Sequence, residues 1–460
     1  MSQWVASQPI QPVRASGHLL RILGVTFGIA VAIGGTIGSG ILRTPGEIAA
    51  HLHNPTLIVA VWLLGGVYAF LGTLSVVELG TTYPFAGGWY VYARRALGTY
   101  AGFVVGCSDW MVQTVSVAYL AVAFAEFSGE LLPQFAQHQK IVGIGLLLVL
   151  MLLNWIGLRS GSRTQEITSF IKAFALVVFV IGCLALAPAA STASPVLAHP
   201  ISTGGLLGAL VVSLQAIIVT YDGWYLAIYF TEEDKQPATN LPKSSLGAVL
   251  ACIAIYVLVN LALMHVLPME KFAGSQMPVA DAAVSLFGAR GGQLVLLVSL
   301  IAAISAINAT VLASPRILFA IARDGLMPGW ITSVNRGGTP IAALLVGTIV
   351  ASALVLSGSF DTLIDIAAVL FVVVYLSGFV SLFVLRAREP GRPRPFKAWL
   401  YPWGNGLVLL ASAAFLVGAV IADLKDALFT VIFIALTIPL YFVLRRGNGS
   451  AAPQIATEGN

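Results

Sequence analysis

The stretch GGTIGSGILRTP, residues 34–45, decides how the fold of this chain is interpreted. It places four glycines within residues 34–40 and a proline at position 45, inside an apolar run that begins near Ile22. Each glycine destabilises a helix interior by about 1 kcal/mol relative to alanine. In a bilayer, each backbone group that unwinding frees must also find another partner. The stretch therefore predicts a membrane helix that is broken at its middle.

The composition is that of an integral membrane protein. Of the 460 residues, 58% are hydrophobic and 9% are charged, and the mean hydropathy is +0.92. A soluble domain has about 25% charged residues. Several apolar segments exceed the ~20 residues that a helix needs to cross the hydrocarbon core, and none alternates like a barrel strand. The first twenty residues are mostly polar or small and contain two prolines, so they predict a flexible cytoplasmic tail.

The order of apolar segments predicts twelve spans. Their approximate limits are 22–52 (broken), 55–80, 99–127, 140–158, 164–187, 206–233 (broken), 244–268, 291–321, 340–357, 361–386, 404–422 and 427–445. Eighteen of the 24 Lys and Arg residues fall in the tails and even-numbered loops, five on the opposite side, and Lys172 inside a span. Because basic residues concentrate in cytoplasmic loops, this bias predicts that both ends are cytoplasmic.

Enzyme and pump functions find no support in the sequence. The loops are short, they contain no cluster with metal-ligand spacing, and no GxxxxGK[ST] motif occurs. No cofactor or metal is therefore predicted. The three cysteines, Cys107, Cys183 and Cys252, lie in apolar segments without disulfide or metal spacing and are interpreted as small core residues.

Span six contains a second interruption. The segment GALVVSLQAIIVTYDGWYLAIYFTEE, residues 208–233, places Asp222 and Gly223 in apolar surroundings. An aspartate inside a span usually lines a cavity or pairs with another polar group. Span one opens the first five spans and span six opens the next five. Interruptions at corresponding positions of two halves indicate the central binding site of a transporter, although the halves share no obvious residue identity.

The two interruptions have opposite polarity. After residues 38–40 a new half-helix starts at Ile41, and its N-terminal amides suit a carboxylate. The first half of span six ends near Val219, and its free carbonyls suit an ammonium group. A site with both poles fits a zwitterion and therefore an α-amino acid. The alternative interpretation is that the glycines only allow close helix packing.

Five blocks, in order, resemble the amino acid–polyamine–organocation (APC) superfamily and its L-amino-acid transporter (LAT) branch. They are GGTIGSGILRTP, ELGTTYPFAGGWYVYARRALG, AIIVTYDGWYLAIYFTEEDKQPATNLPKS, AINATVLASPRILFAIARDGLMP and RPFKAWLYP. The resemblance implies an all-α, leucine-transporter-like fold with five plus five inverted helices, two extra helices, and helices 1 and 6 broken. The corresponding parts are a tail at 1–20, repeats at 21–187 and 206–386, helices 11–12 at 403–446, and a tail at 447–460.

The resemblance also implies a set of site residues. Amides at Ser39, Gly40 and Ile41, beside Gly38, would bind the substrate carboxylate. The amine would be bound by carbonyls of Val219 and Asp222, with Thr220 and Tyr221 nearby, and the pocket would be shaped by Trp224 and Gly223. Many relatives have an aromatic lid where this chain has Val219. The loop between spans three and four has no cysteine, so no disulfide-linked heavy subunit is expected, unlike in animal LAT proteins.

Three charged residues have more than one interpretation. Asp222 could cap the second half of span six, contact a basic substrate or serve another role, and Arg43 could be solvated at the extracellular vestibule or reach the substrate. Lys172 lies about eight residues inside span five, ~12 Å at the rise of a helix. It could snorkel to the surface. The resemblance instead places it where sodium-coupled relatives bind sodium, as a donor to carbonyls near Gly34 and Gly35 and to the hydroxyl of Ser305.

The predicted function is secondary transport of L-amino acids across the plasma (inner) membrane by alternating access, as sodium-independent exchange. The partners are then an amino acid and the lipid bilayer, without nucleic acid. A proton-coupled amino acid or amine symporter on the same fold is the alternative. A non-transporting receptor or a membrane enzyme is a third class.

Overall fold

A computed structural model describes residues 18–186, 203–358, 360–422 and 424–447. Within these ranges the chain is helical, and its only β-type pairings are two isolated bridges. The α-helices are α1 (Val25–Thr36), α2 (Gly40–Leu52), α3 (Pro55–Thr82), α4 (Trp89–Leu97), α5 (Thr99–Leu131), α6 (Gln139–Ile156), α7 (Leu158–Leu186), α8 (Thr203–Thr220), α9 (Pro237–Val266), α10 (Met269–Ala273), α11 (Pro278–Phe287), α12 (Ala289–Arg323), α13 (Ile341–Ser357), α14 (Phe360–Arg388), α15 (Trp403–Ala422) and α16 (Leu424–Gly447).

Many of these helices are long and apolar enough to cross a membrane. In the described part of the chain there are nine such segments, in α3, α5, α6, α7, α9, α12, α14, α15 and α16. The pair α1 and α2, whose axes differ by 44°, makes a tenth when it is counted as one span. The protein is therefore a multi-pass membrane protein. Shorter apolar helices, α8 and α13, lie at predicted spans six and nine, and the count of twelve and the inverted repeat remain predictions.

The start of α3 illustrates how the sequence sets the helix limits. Asn54 precedes the helix, and its side-chain oxygen accepts hydrogen bonds from the amides of Thr56 (2.9 Å) and Leu57 (3.2 Å). Pro55 occupies the first helical position, where its missing N–H costs no hydrogen bond. An asparagine cap of this kind stabilises a helix by about 1 kcal/mol. The sequence NPT therefore separates span one from span two.

The helix α5 lies at the centre of the bundle, where it packs against α12, α14 and α4. The most apolar part of α5 is 72% buried, whereas that of α16 is 17% buried. A helix that is apolar all round and buried belongs to the core of a membrane bundle, and one that is apolar but exposed faces lipid. The core therefore surrounds α5, and α16 lies at the periphery.

Two faces of the molecule are named by their loops. The arginine-rich face carries the loops that are predicted to be cytoplasmic, among them α4, the end of α12 and the segment 389–402. The vestibule face carries α10, α11 and the C-terminal end of α5. The charge bias predicts that the arginine-rich face is cytoplasmic.

Candidate substrate site

The break in span one exposes backbone amides. After α1 ends at Thr36, the amide of Ile37 donates to the Ile33 carbonyl (2.9 Å) and that of Gly38 to the Thr36 carbonyl (3.0 Å). The next helix begins at Gly40, and the first amides of a helix have no acceptor within it. They also lie at the positive end of the α2 dipole. The break therefore presents N–H groups that can bind an anion.

The chain of span six is also irregular at its middle. The helix α8 ends at Thr220, residues 221–225 form turns, and a 3₁₀ segment follows at Leu226–Phe230. Gly223 is buried and has a φ angle of +100°, in the region that favours glycine. A Cβ atom at this position would lie 2.7 Å from the amide nitrogen of Thr36. The two breaks therefore contact each other through their backbones.

Tyr256 of α9 joins the two breaks. Its hydroxyl lies 2.6 Å from the carbonyl oxygen of Thr36 and 3.1 Å from that of Thr220. The hydroxyl of Thr220 in turn donates to that of Thr44 at 2.9 Å. No motif in the sequence marks Tyr256, which lies 220 residues after Thr36, so the sequence analysis missed it.

A cavity of about 1010 Å³ lies between the two breaks and extends toward the vestibule face. Its walls include predicted site residues from both breaks, namely Gly38, Ser39, Gly40, Val219, Thr220 and Asp222. Nearer the vestibule face the walls carry the charged residues Arg43, Glu47 and Glu130. Small-molecule sites enclose about 300–1,000 Å³, so this cavity comprises an entrance as well as a binding site.

Of the predicted substrate and pocket residues, Ile41, Tyr221, Gly223 and Trp224 lie behind this lining. Ile41 and Tyr221 are 0% exposed and Trp224 is 1% exposed. The ring of Tyr221 packs against Trp62, with centroids 6.0 Å apart, and that of Trp224 packs against Tyr375 at 5.7 Å. These side chains support the walls of the cavity and do not form them.

Asp222 lines the cavity and is tied to a neighbouring helix. Its Oδ1 atom accepts a hydrogen bond from the hydroxyl of Tyr375 in α14. The carboxyl of Asp222 therefore connects the break in span six to a helix that belongs to neither break. Tyr375 is a second residue of the site that the sequence analysis missed, because nothing in its local sequence distinguishes it from a core aromatic.

Lys172 of α7 is fully buried and reaches the break in span one. Its Nζ atom donates to the carbonyl of Gly34 at 2.7 Å and also to the carbonyl of Ile37. The side chain is 0% exposed, so in this structure it does not extend to the surface. The Nζ atom of Lys172 therefore occupies the carbonyls at the end of α1. Of the predicted contacts, Gly34 is present, and the second carbonyl is that of Ile37 instead of Gly35.

Ser305 is held by residues other than Lys172. Its hydroxyl lies 3.0 Å from that of Ser169 and 3.3 Å from the side-chain amide nitrogen of Gln165. Ser169 also donates to the carbonyl of Ala30 at 2.7 Å. The polar side chains of α7 thus bond to Ser305 and link α12 to α1.

Ion pairs close the arginine-rich face. Arg316 donates twice to the carboxylate of Glu233, at 2.9 and 2.8 Å, with both side chains at most 1% exposed. Further pairs join other elements, namely Arg386 and Arg394 with Glu78, Arg95 with Glu389, Arg94 with Asp324, and Arg323 with Glu232. Partial burial acts to raise the pKa of Glu389, but hydrogen bonding and the charge of Arg95 outweigh it and lower that pKa. The cavity is thus closed on this side and open on the other.

The entrance carries a more exposed ion pair. Arg43 lies 3.9 Å from the carboxylate of Glu126, and both side chains are about one-third exposed, at 35% and 34%. Its guanidinium also lies over the ring of Phe127, 5.0 Å from the centroid. Exposed pairs of this kind contribute about 0–1 kcal/mol.

The described residues include no group of three or more His, Cys, Asp or Glu side chains that could hold a metal ion. The three cysteines are free and buried. They are packed as core residues within the helices α5, α7 and α9. The chemistry of the cavity therefore depends on backbone groups, hydroxyls and a few charged side chains.

A multi-pass helical bundle with a cavity between two irregular spans is the arrangement of a membrane transporter. The chain belongs to the amino acid permease family, because the family described as "Amino acid permease" matches residues 23–443. It is an APC-superfamily transporter close to the LAT branch, it functions in amino acid transport, and it is not an enzyme.

The chain is similar to several named transporters. It is 27% identical over 437 residues to the "Serine/threonine exchanger SteT" of Bacillus subtilis (strain 168), covering 94% of this chain and 98% of that protein. It is 27% identical to the "Asc-type amino acid transporter 1" of Mus musculus, covering 82% and 73% of the two chains. It is 25% identical to the "Large neutral amino acids transporter small subunit 2" of Homo sapiens, covering 82% and 72%.

Proposed function

We propose that the protein exchanges L-amino acids across the cell membrane by alternating access and without sodium. The observation that carries the proposal is the meeting of two breaks of opposite polarity at one cavity, which residues 38–40 line together with Val219, Thr220 and Asp222. The amides at the start of α2 suit the carboxylate, and the carbonyl end of α8 suits the amine. Similarity to a protein named as a serine/threonine exchanger supports the exchange mode.

The sodium independence rests on Lys172. A sodium ion bound at the end of α1 would need the carbonyl oxygens of that helix end. In this structure the carbonyls of Gly34 and Ile37 accept hydrogen bonds from the Lys172 ammonium group. Because the Lys172 side chain already donates to these oxygens, they are not available to a sodium ion.

The orientation of the protein in the membrane follows from the charge of its two faces. If the arginine-rich face is cytoplasmic, as its charge predicts, both chain ends are cytoplasmic and the vestibule face is extracellular. The cavity is then open to the outside and closed to the inside by the ion pairs. The chain has three cysteines, and all are buried, so we propose that it works without a disulfide-linked heavy subunit.

Counterflow in proteoliposomes tests this function. Vesicles are loaded with a mixture of unlabelled L-amino acids, and labelled amino acids are offered singly outside in choline medium. Loaded vesicles should accumulate the label, and empty vesicles should not. Equal uptake by empty vesicles would contradict exchange, and uptake that requires sodium would contradict the role of Lys172.

A proton-coupled symporter on the same fold is the second candidate. It is favoured by one observation, the buried aspartate Asp109, which pairs with no cation in the described part of the chain. Uptake by empty vesicles that a protonophore abolishes would favour this candidate over exchange.

A further inference from the structure

Asp109 is a buried carboxyl group that the proposed site does not use. It lies in α5, and 1% of its surface is exposed. The hydroxyl of Tyr229 lies 2.7 and 2.9 Å from its two oxygen atoms, and the side-chain nitrogen of Gln113 lies 3.5 Å from Oδ1. Among the residues that the structure describes, no lysine, arginine or histidine forms an ion pair with it. Its hydrogen-bond partners are therefore neutral.

Other acidic groups inside the bundle have either a cationic partner or access to the open cavity, and Asp109 has neither. Glu233 receives two hydrogen bonds from Arg316, and Glu78 pairs with Arg386 and Arg394. Asp222 lines the cavity, which is open to water. An ionised carboxylate with neither a cation nor water is strongly disfavoured in a membrane protein interior. The neutral surroundings thus favour a proton on Asp109.

We propose that the Asp109 carboxyl is a proton-binding site, neutral in this conformation, that releases its proton when the arginine-rich face opens. The proposal rests on the alternating access argued above. When that face opens, water reaches the carboxyl, the O–H bond breaks, the proton passes to water, and the remaining carboxylate is hydrated. In the exchange mode the same proton rebinds when the face closes.

The contacts of Tyr229 explain why opening of the arginine-rich face would expose the carboxyl of Asp109 to water. Tyr229 belongs to the 3₁₀ segment Leu226–Phe230, and Glu233 follows four residues later. The hydrogen bond from Tyr229 therefore joins the second part of span six to α5, close in the chain to the buried pair of Glu233 and Arg316. A movement of this segment that separates the ion pair also uncovers the carboxyl.

The charged side chains on the elements around Asp109 are paired with other groups. On neighbouring elements, Arg94 of α4 is held by Asp324, and Arg316 of α12 is held by Glu233. On the cavity side, the carboxyl of Asp222 is held by the hydroxyl of Tyr375. A row of neutral side chains links the two aspartates, namely Tyr229, Gln113, Tyr225 and Tyr375.

The test measures how the opening of the arginine-rich face depends on pH. Spin labels are attached to cysteines introduced by Arg159→Cys and Ala238→Cys, two exposed positions on that face. The native cysteines are buried and compete little for label. The ratio of open to closed distances should rise with pH, by roughly tenfold per unit where one proton is released. In Asp109→Asn, which is neutral at every pH, the ratio should stay low and independent of pH.

Two further variants make the result decisive. Glu166→Gln removes a partly exposed carboxylate on the same face and should leave the pH dependence of the wild type intact. Tyr229→Phe removes the donor that stabilises the ionised carboxyl, so the rise should continue to higher pH, and this variant decides the matter if Asp109→Asn does not fold. A wild-type ratio that ignores pH, or an Asp109→Asn profile identical to the wild type, overturns the proposal. The distances do not depend on flux, so a failure of the proposed exchange would be seen separately in the counterflow assay.

Discussion

The two breaks are held by side chains of opposite hydrogen-bonding character, a donor in span one and an acceptor in span six. In span one, the Lys172 ammonium donates to the carbonyls of Gly34 and Ile37, so the acceptors at the end of α1 are occupied. In span six, the carboxyl of Asp222 accepts from Tyr375, so the anchor is an acceptor itself. Neither anchor bonds to the amides at the start of α2 or to the carbonyls at the end of α8. Of those carbonyls, that of Val219 accepts from the Asp222 amide (3.1 Å) and that of Thr220 from the Tyr256 hydroxyl (3.1 Å), and each oxygen retains a second lone pair. On this comparison, span one offers amides to the substrate and span six offers carbonyls.

The largest expected effect comes from Gly223→Ala, where the two breaks touch. The φ angle of +100° strains any side chain, and the added Cβ would lie 2.7 Å from the Thr36 nitrogen. Such strain costs about 1–3 kcal/mol before the clash is counted. Transport should be lost, and the melting temperature in detergent should fall. Gly145→Ala, whose Cβ would meet nothing within 4 Å, is the matched control. An equal loss of transport in that variant would show that the contact between the breaks does not explain the effect of Gly223→Ala.

Lys172→Ala removes the anchor of span one alone. It leaves two buried carbonyls without their donor, a loss of about 1–3 kcal/mol for a group of this kind. Exchange should slow by about ten- to hundredfold, while substrate binding changes much less, because the lost contact stabilises a conformation. Flux and binding are measured in parallel, with Lys140→Ala as the exposed control. Wild-type flux in Lys172→Ala would show that the break does not need this anchor.

Gly40 and Gly38 sharpen the comparison, since they lie in the same break but face different surroundings. A Cβ at Gly40 would lie 3.0 Å from Cγ2 of Thr220, whereas one at Gly38 would meet nothing within 4 Å. Gly40→Ala should therefore push the breaks apart and impair exchange by about tenfold or more. Gly38→Ala should mainly raise KM by filling the cavity.

The double variant Gly40→Ala with Thr220→Ser controls for this explanation, because serine lacks the methyl group that the alanine would meet. Partial recovery of exchange is expected, measured as kcat/KM in counterflow. If the double variant is no better than Gly40→Ala, the contact with Thr220 does not limit transport.

Val219→Phe is expected to have the smallest effect. Val219 lines the cavity at the end of α8, where a larger ring would narrow the space above the substrate. The total rate should change by only a few-fold, but small amino acids should gain over large ones in a competition series. An unaltered ranking would remove Val219 from the substrate's surroundings.

The parts of the site that the sequence predicted are those with a local signal. The four glycines of residues 34–40 and the aspartate of TYDGW are unusual within apolar runs, and the cavity is lined by both segments. The helical, membrane-spanning nature of the chain follows from composition and segment length in the same way. Asp109 carries the same local signal as Asp222, an acid within a span, so it could have been recognised by the rule that identified Asp222.

Other parts depend on contacts between distant segments, for which a single sequence has no signal. Tyr256 and Tyr375 look like ordinary core aromatics until the fold places their hydroxyls on the breaks. Ser305 was predicted as a partner of Lys172, but Ser169 and Gln165 of α7 hold it instead. Several hydroxyls lie on neighbouring helices, and shifts in helix packing of about the length of one hydrogen bond decide which of them contacts a buried lysine.

The most direct test of the account asks whether the substrate carboxylate is bound at the start of α2. Counterflow of a labelled L-amino acid in sodium-free medium is competed with the same unlabelled amino acid and with the amino alcohol that lacks its carboxylate. The account predicts that the amino acid competes at least about tenfold better, as loss of a charge-assisted hydrogen bond to buried amides requires. Equal competition by the amino alcohol would contradict it.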